Sequence, residues 1–252
     1  MFALAVKLFG APLLVGGASL AGRRYGPALA GLLSGLPVIA GPILAVLWLE
    51  HGADYAAQVA RMLLLGLAPL AAYLWVFSRL ARRFHWLACL LAGWGAFLLA
   101  AQGCRGVSLP YWLFATGAVL MLFCVGWFMA RPEVPAASAP LPKSELFARI
   151  FAAFLLVFGL TSASGRLGPE WTGLLAAFPV AGSVMPAFTL ARSGPPAALR
   201  LLRGFVSGLL GLGGFALCLA LMLPLLGGFA FVPAVLAAIV IASFNARVVF
   251  CG

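Results

Sequence analysis

Long apolar runs separated by short polar breaks occupy almost the whole of this chain. A membrane span needs roughly 20 mostly apolar residues. By that measure about nine are present, at approximately 2–21, 27–49, 56–78, 84–101, 109–130, 146–164, 169–191, 197–223 and 229–250. Between the fifth and sixth runs, the stretch from Arg131 to Lys143 is rich in proline and small residues. Such a composition predicts a solvated, extended linker. The pattern as a whole predicts an all-α polytopic membrane protein of about nine transmembrane helices.

The runs are not independent of one another. The segment Arg24-Tyr25-Gly26-Pro27 through Gly31-Leu32-Leu33 to Pro37-Val38 returns as Arg166-Leu167-Gly168-Pro169 through Gly173-Leu174-Leu175 to Pro179-Val180, with about half the positions identical. Carried outward without a gap, the same offset pairs Lys7 with Arg149, Gly52 with Gly194, Arg61 with Arg203, Gly66 with Gly208 and Arg105 with Arg247. Self-similarity of this kind predicts an internal duplication. Its units are a first repeat of four spans over 1–108, a linking span with a Pro/Ala-rich cytoplasmic linker over 109–145, and a second repeat of four spans over 146–252. An odd number of spans separates the copies, so they sit upside down relative to each other in the bilayer. Two inverted four-helix repeats joined by one extra helix is an arrangement found among secondary transporters.

Composition narrows the class. Hydrophobic residues make up 65% of the chain and charged residues 8%, which excludes a soluble domain. The net charge of +11 raises nucleic acid as a partner. The Lys and Arg residues are instead spread singly between apolar runs, with no basic face for a strand to follow. The first run has no basic segment ahead of it and ends at two arginines, so it reads as a retained span rather than a cleaved signal. Cys89, Cys104, Cys124, Cys218 and Cys251 show no paired or metal-type spacing and read as small hydrophobes.

Lys and Arg are enriched in cytoplasmic loops. Counted in alternate loops, twelve of them, from Arg23 and Arg24 to Arg247, fall on one side. Only Arg61, Arg105 and Arg166 fall on the other, with Lys7 near the start of the first span. The N-terminus is therefore expected outside and the C-terminus in the cytoplasm. The four outer cations are the informative ones, because the topology rule does not ask for them there. Each has a basic counterpart in the other repeat, which suggests two pseudo-symmetric basic vestibules. Two readings stay open at these positions: cationic ends that snorkel to lipid phosphates, and groups that meet an anionic solute or lipid headgroup. Arg61 and Arg166 from outside, with Arg203 and Arg24 from inside, are the candidates for the second.

Pro37 and Pro179 fall mid-span at matching positions. Proline removes a helical hydrogen bond, which within a bilayer is tolerated only where protein or a water-filled cavity satisfies the freed carbonyl. Paired interruptions of this kind point to a midplane site between the second and seventh spans, with Ser34, Thr172 and Ser183 as nearby polar groups. Gly31, Gly35 and Gly173 are expected to allow close helix crossing. Glu50, His51 and Asp54 read as a solvated loop cluster rather than a metal site. No nucleophile and base set, phosphate-cradling loop or haem pair is visible, so no enzyme activity, cofactor or metal is expected.

The segment Gly173-Leu174-Leu175-Ala176-Ala177-Phe178-Pro179, followed by Ala187-Phe188-Thr189-Leu190-Ala191 and then Ala198-Leu199-Arg200, resembles the small bacterial GlpM-type inner-membrane proteins. They are about half this length, and the resemblance covers about a fifth of the chain. It implies a bacterial inner-membrane protein, linked in that family to exopolysaccharide production. The combined expectation is a membrane transporter or flippase-like protein for a small anionic substrate. The alternative is a non-transporting assembly protein of a cell-envelope polysaccharide system, with membrane lipids and a cell-envelope protein or a second copy as partners. Reporter fusions placed after Lys143 and at the C-terminus are expected to read cytoplasmic together; a periplasmic signal from either one would overturn the inversion.

Overall fold

A computed structural model describes residues 2–38, 40–105, 110–129, 143–167 and 178–251. All regular structure among them is helical and no strand occurs there. In chain order the helices are α1 (Phe2–Tyr25), α2 (Pro27–Gly35), α3 (Ala40–His51), α4 (Ala53–Leu65), α5 (Leu67–Leu80), α6 (Trp86–Arg105), α7 (Tyr111–Phe128), α8 (Lys143–Leu167), α9 (Val180–Leu226) and α10 (Phe231–Cys251), with a 3-10 turn at Gly227–Ala230 before α10.

Four stretches among the described residues are long and apolar enough to cross a membrane: Pro27–His51, Ala53–Leu80, Trp86–Cys104 and Val180–Ala246. The last, at 67 residues, far exceeds the roughly 20 that a single crossing needs. It is interrupted at Gly194, whose φ of 75° and ψ of −178° are not helical, and again at the 3-10 turn. Residues 180–193 and 195–226 are therefore two helices that abut, matching the boundary expected between the seventh and eighth runs. Gly52, between α3 and α4, has nearly the same backbone conformation, φ 87° and ψ 175°. That region is open only to glycine, because any Cβ would collide with the backbone.

Other boundaries follow from proline. Pro27 occupies the first turn of α2, where its missing N–H is no loss. The second run is not one helix. α2 ends at Gly35, Leu36 is extended, and Pro37 and Val38 form a turn before α3. In the seventh run Phe178 and Pro179, at the matching positions, are non-helical and α9 begins at Val180; the residues before them lie outside the described ones. The third run is divided into α4 and α5 at Gly66.

The core is organised on α9. Its part after Gly194 is buried along almost every face from Leu201 to Gly211. Tyr73, Leu74, Phe77 and Phe97 of α5 and α6 pack with Leu202, Phe205, Val206 and Leu209 in the largest cluster. Leu44, Ala56, Ala57 and Ala60 pack with Phe215, Leu219 and Leu223 in a second cluster. A third joins Val15 and Ala18 of α1, Ala30 of α2, Ala153 of α8 and Val184, Met185 and Leu201 of α9.

The closest approach is between α2 and α9. Gly31 and Gly35 lie four residues apart on one helix, Gly204 and Gly208 four apart on the other. A methyl group on Gly31 would overlap the Leu201 carbonyl, and one on Gly204 would overlap that of Ala28. A Cβ on Gly208 would come 2.7 Å from the Cα of Gly35. Backbone thus meets backbone, the contact small residues permit when lipid and side chains are equally apolar and only packing drives association. The crossing expected for Gly31 and Gly35 is present; Gly173 lies outside the described residues. The partner of this crossing belongs to the eighth run rather than the seventh, because the glycine pair that admits α2 sits at 204 and 208. The described part of the seventh run shares a cluster with α2 beside this crossing, where Leu33, Val180 and Val184 come together.

Replacing Gly208 with Leu is expected to destabilise the protein by about 3 kcal/mol or more, since backbone rather than a yielding side chain opposes the added atoms. Replacing Gly117 with Ala, where an added methyl meets nothing within 4 Å, is expected to be neutral or slightly stabilising. Thermal unfolding of the purified variants in detergent checks both, and equal midpoints would refute the crossing.

Candidate functional site

Proline at position 186 explains the chemistry around the start of α9. It cannot donate the helical hydrogen bond to the carbonyl four residues earlier, that of Gly182. In a bilayer an abandoned carbonyl has no water to accept from. Here Tyr73 of α5, completely buried, reaches across and donates its hydroxyl to the Gly182 oxygen at 2.7 Å. One residue on, the indole N–H of Trp94 on α6 donates to the Ser183 hydroxyl at 2.9 Å. Ser183 is 1% exposed. Around the preceding break the ring of Phe178 meets Trp94 and Phe97 edge-on, with centroids 5.4 Å away in each case. The Phe205 ring fills the space over Gly182, where a Cβ would lie 2.9 Å from it. The Pro179 carbonyl is used as well, accepting from the Ser183 N–H at 2.8 Å. The interruption at Phe178 and Pro179 is thus a filled, hydrogen-bonded junction.

The other expected site residues are distributed as follows. Pro37 lies in the turn between α2 and α3. Ser34 is buried and donates back to the Ala30 carbonyl at 2.8 Å, so its hydroxyl is occupied within its own helix. Arg24 is exposed at the end of α1, with its guanidinium 5.4 Å from the centroid of the neighbouring Tyr25 ring. Arg61 is exposed on α4, whereas Arg203, its counterpart in the repeat register, is buried in α9 at 7% exposure. The two occupy different surroundings and do not form a matched pair. Arg166 falls in the last turn of α8 and its side chain lies outside the described residues, as does the whole of Thr172. Glu50, His51 and Asp54 are exposed, and no group of three or more potential metal ligands occurs among the described residues.

A second polar assembly went unrecognised in the sequence. Glu145, in the first turn of α8, is 9% exposed, and Arg149, one turn further on, is 4% exposed. The Arg149 guanidinium grips one carboxylate oxygen through Nη2 at 2.7 Å and Nε at 3.2 Å. Arg192, at the end of the 180–193 helix, approaches the other oxygen with Nε at 2.9 Å. The far side of Arg149 rests on α9: Nη1 lies 3.6 Å from the Met185 sulfur, and the Phe188 ring lies 5.6 Å beneath. Ser19 of α1 donates to the same sulfur at 3.1 Å. Snorkelling, one of the two readings open for Arg149, fails, because the side chain is enclosed by protein. One carboxylate thus serves two arginines. The signal available was Glu145 and Arg149 four apart on one helix, a spacing that lets an acid and a base meet.

Compared with models of protein families, with curated proteins and with solved structures, the chain matches none.

Replacing Tyr73 with Phe removes only the hydroxyl and leaves the Gly182 carbonyl buried without its donor. The expected loss is about 1–3 kcal/mol of stability, read as a lower unfolding midpoint with the helical content of the folded protein unchanged. A midpoint equal to that of the parent would show that the carbonyl does not depend on Tyr73.

Proposed function

We propose that this chain is an inverted-repeat transporter or flippase-like protein of the bacterial inner membrane. On this reading it has about nine spans, the N-terminus outside, the C-terminus in the cytoplasm, and a small anionic solute or lipid headgroup as substrate. The observation that carries the proposal is the coincidence of non-helical prolines and positive-φ glycines at the repeat offset. Helix α2 ends before Leu36 and Pro37, and at the counterpart positions Phe178 and Pro179 are non-helical ahead of α9. Gly52 and Gly194, which are counterparts, are both glycines of positive φ opening a helix. The Phe215 ring sits 3.7 Å from a Cβ position on Gly41, and their counterparts are Tyr73 and Ser183. These correspondences involve backbone conformation and cross-helix contacts, which chance identity of Leu or Gly would not produce. Discontinuous helices at equivalent places in inverted halves are how secondary transporters build a midplane site. The anionic substrate class rests on arginine placement, with Arg203 and Arg149 buried at helices that border the breaks. A guanidinium fork matches carboxylate or phosphate.

One observation favours a second reading. The α2 and α9 crossing is backbone against backbone, and the junction at Pro179 is filled by aromatic rings. A rigid interior of this kind suits a non-transporting assembly protein of the cell envelope. The two readings separate in proteoliposomes challenged with a panel of labelled carboxylates, phosphates and lipid-linked sugars. Transport predicts saturable uptake or flipping of one class. It also predicts that Arg203→Gln lowers it by at least about tenfold, in keeping with the loss of a charge-assisted interaction, while Arg203→Lys retains part of it. Uptake indistinguishable from empty vesicles across the panel, or a fully active and folded Arg203→Gln variant, would favour the assembly role.

A further inference from the structure

The two halves are not packed alike. Helix α3 buries only Leu44 along its length. Its counterpart, 180–193, buries Gly182, Ser183, Val184, Met185, Pro186, Ala187, Thr189 and Leu190. Both segments run from a proline break to a glycine of positive φ, so each is bounded by two joints. One is enclosed by protein and the other lies nearer the surface. The enclosed segment carries a tie at its end, where Arg192 reaches Glu145 of α8. Within α8 the same carboxylate is gripped by the buried Arg149, which aims it across the gap. In the repeat register Glu145 corresponds to Ala3, so the first half has no acid at that place on α1. Glu50, the counterpart of Arg192, is exposed.

We propose that Glu145 and Arg192 form a latch that holds the 180–193 helix closed against α8 and α1, with Arg149 as the positioning residue for the carboxylate. This rests on the transporter reading and supplies its gate. On the inferred topology the latched end is the cytoplasmic one, so the structure is closed to the cytoplasm, while the outer counterpart, α3, is the less buried of the two. Opening separates Arg192 from Glu145, pivots the segment about Phe178–Pro179 and Gly194, and exposes residues now enclosed on its inner half. Thr189, 6% exposed, is one of them. An ion pair with one partner at 41% exposure suits such a role, because water reaches Arg192 when the pair parts and the buried Glu145 keeps Arg149 as its counter-charge.

The test is accessibility, which needs no identified substrate. Thr189→Cys is placed in a background whose five cysteines are replaced by alanine, and a membrane-impermeant maleimide is added to inside-out vesicles. Labelling is expected to be slow with Arg192 present. It is expected to rise about five-fold or more with Arg192→Gln, as the open population grows, and to fall back with Arg192→Lys. Ala71→Cys, on the fully buried α5 face, is the control and stays unlabelled throughout. Unchanged Thr189→Cys labelling in Arg192→Gln would overturn the latch, and so would a parallel rise at Ala71→Cys, which would mean general loosening. If labelling responds as expected but no anion is taken up by the unmodified protein, the latch stands and the carrier reading fails. Uptake that is normal with an unresponsive Thr189→Cys is the reverse.

Discussion

A carbonyl released by proline within hydrocarbon has no solvent to turn to, and much of this structure is arranged around that fact. Pro186 frees the Gly182 oxygen, and a tyrosine from a helix more than a hundred residues earlier supplies the missing donor. Trp94 does the same service for Ser183 one position further on. These two bonds tie α5 and α6 to the start of α9. They therefore also determine where the large aromatic cluster forms, because Phe97, Phe178 and Phe205 close around the same point. Interrupted helices are tolerated in a membrane when the surrounding protein takes over the hydrogen bonding.

The second constraint is proximity. Lipid competes with side chains on equal terms, so helices hold together where their surfaces fit most closely. The glycines of α2 and α9 bring two backbones into contact, and the helix 195–226 becomes the post on which α2, α4, α5 and α10 all pack. This rigid centre contrasts with the segments that flank it. α3 and 180–193 each hang between a proline break and a glycine whose conformation no other residue adopts readily. A stiff post flanked by jointed arms is a construction in which motion concentrates at the joints.

Buried charge is sparse: among the described residues it is confined to Glu145, Arg149 and Arg203. A buried guanidinium is expensive in a low-dielectric interior unless a carboxylate accompanies it. Arg149 meets that requirement through an acid on its own helix, one turn away. The remaining oxygen of Glu145 is thereby directed at a different element. The pairing within α8 neutralises a buried guanidinium, whereas the ion pair with Arg192 joins α8 to a separate element.

Read alone, the sequence is enough for the all-helical class and for helices long and apolar enough to cross a membrane. It also determined the places where helices must stop, because proline and positive-φ glycine act through the local backbone. The end of α2 ahead of Pro37 and the non-helical state of Pro179 were legible for that reason, and the small side chains of Gly31 and Gly35 marked a face open to close crossing. Tertiary structure alone decided what met what. Nothing local distinguishes Tyr73 from any other tyrosine in an apolar helix until the Gly182 carbonyl is brought beside it. Glu145 read as a span-end acid because burial depends on neighbours from α1 and α9 that are distant in the chain. Arg61 and Arg203, paired by the sequence offset, are an exposed and a buried residue because α4 and α9 hold different positions in the packing. Covalent and backbone constraints are written residue by residue, while desolvation and hydrogen-bond satisfaction are properties of the assembled interior.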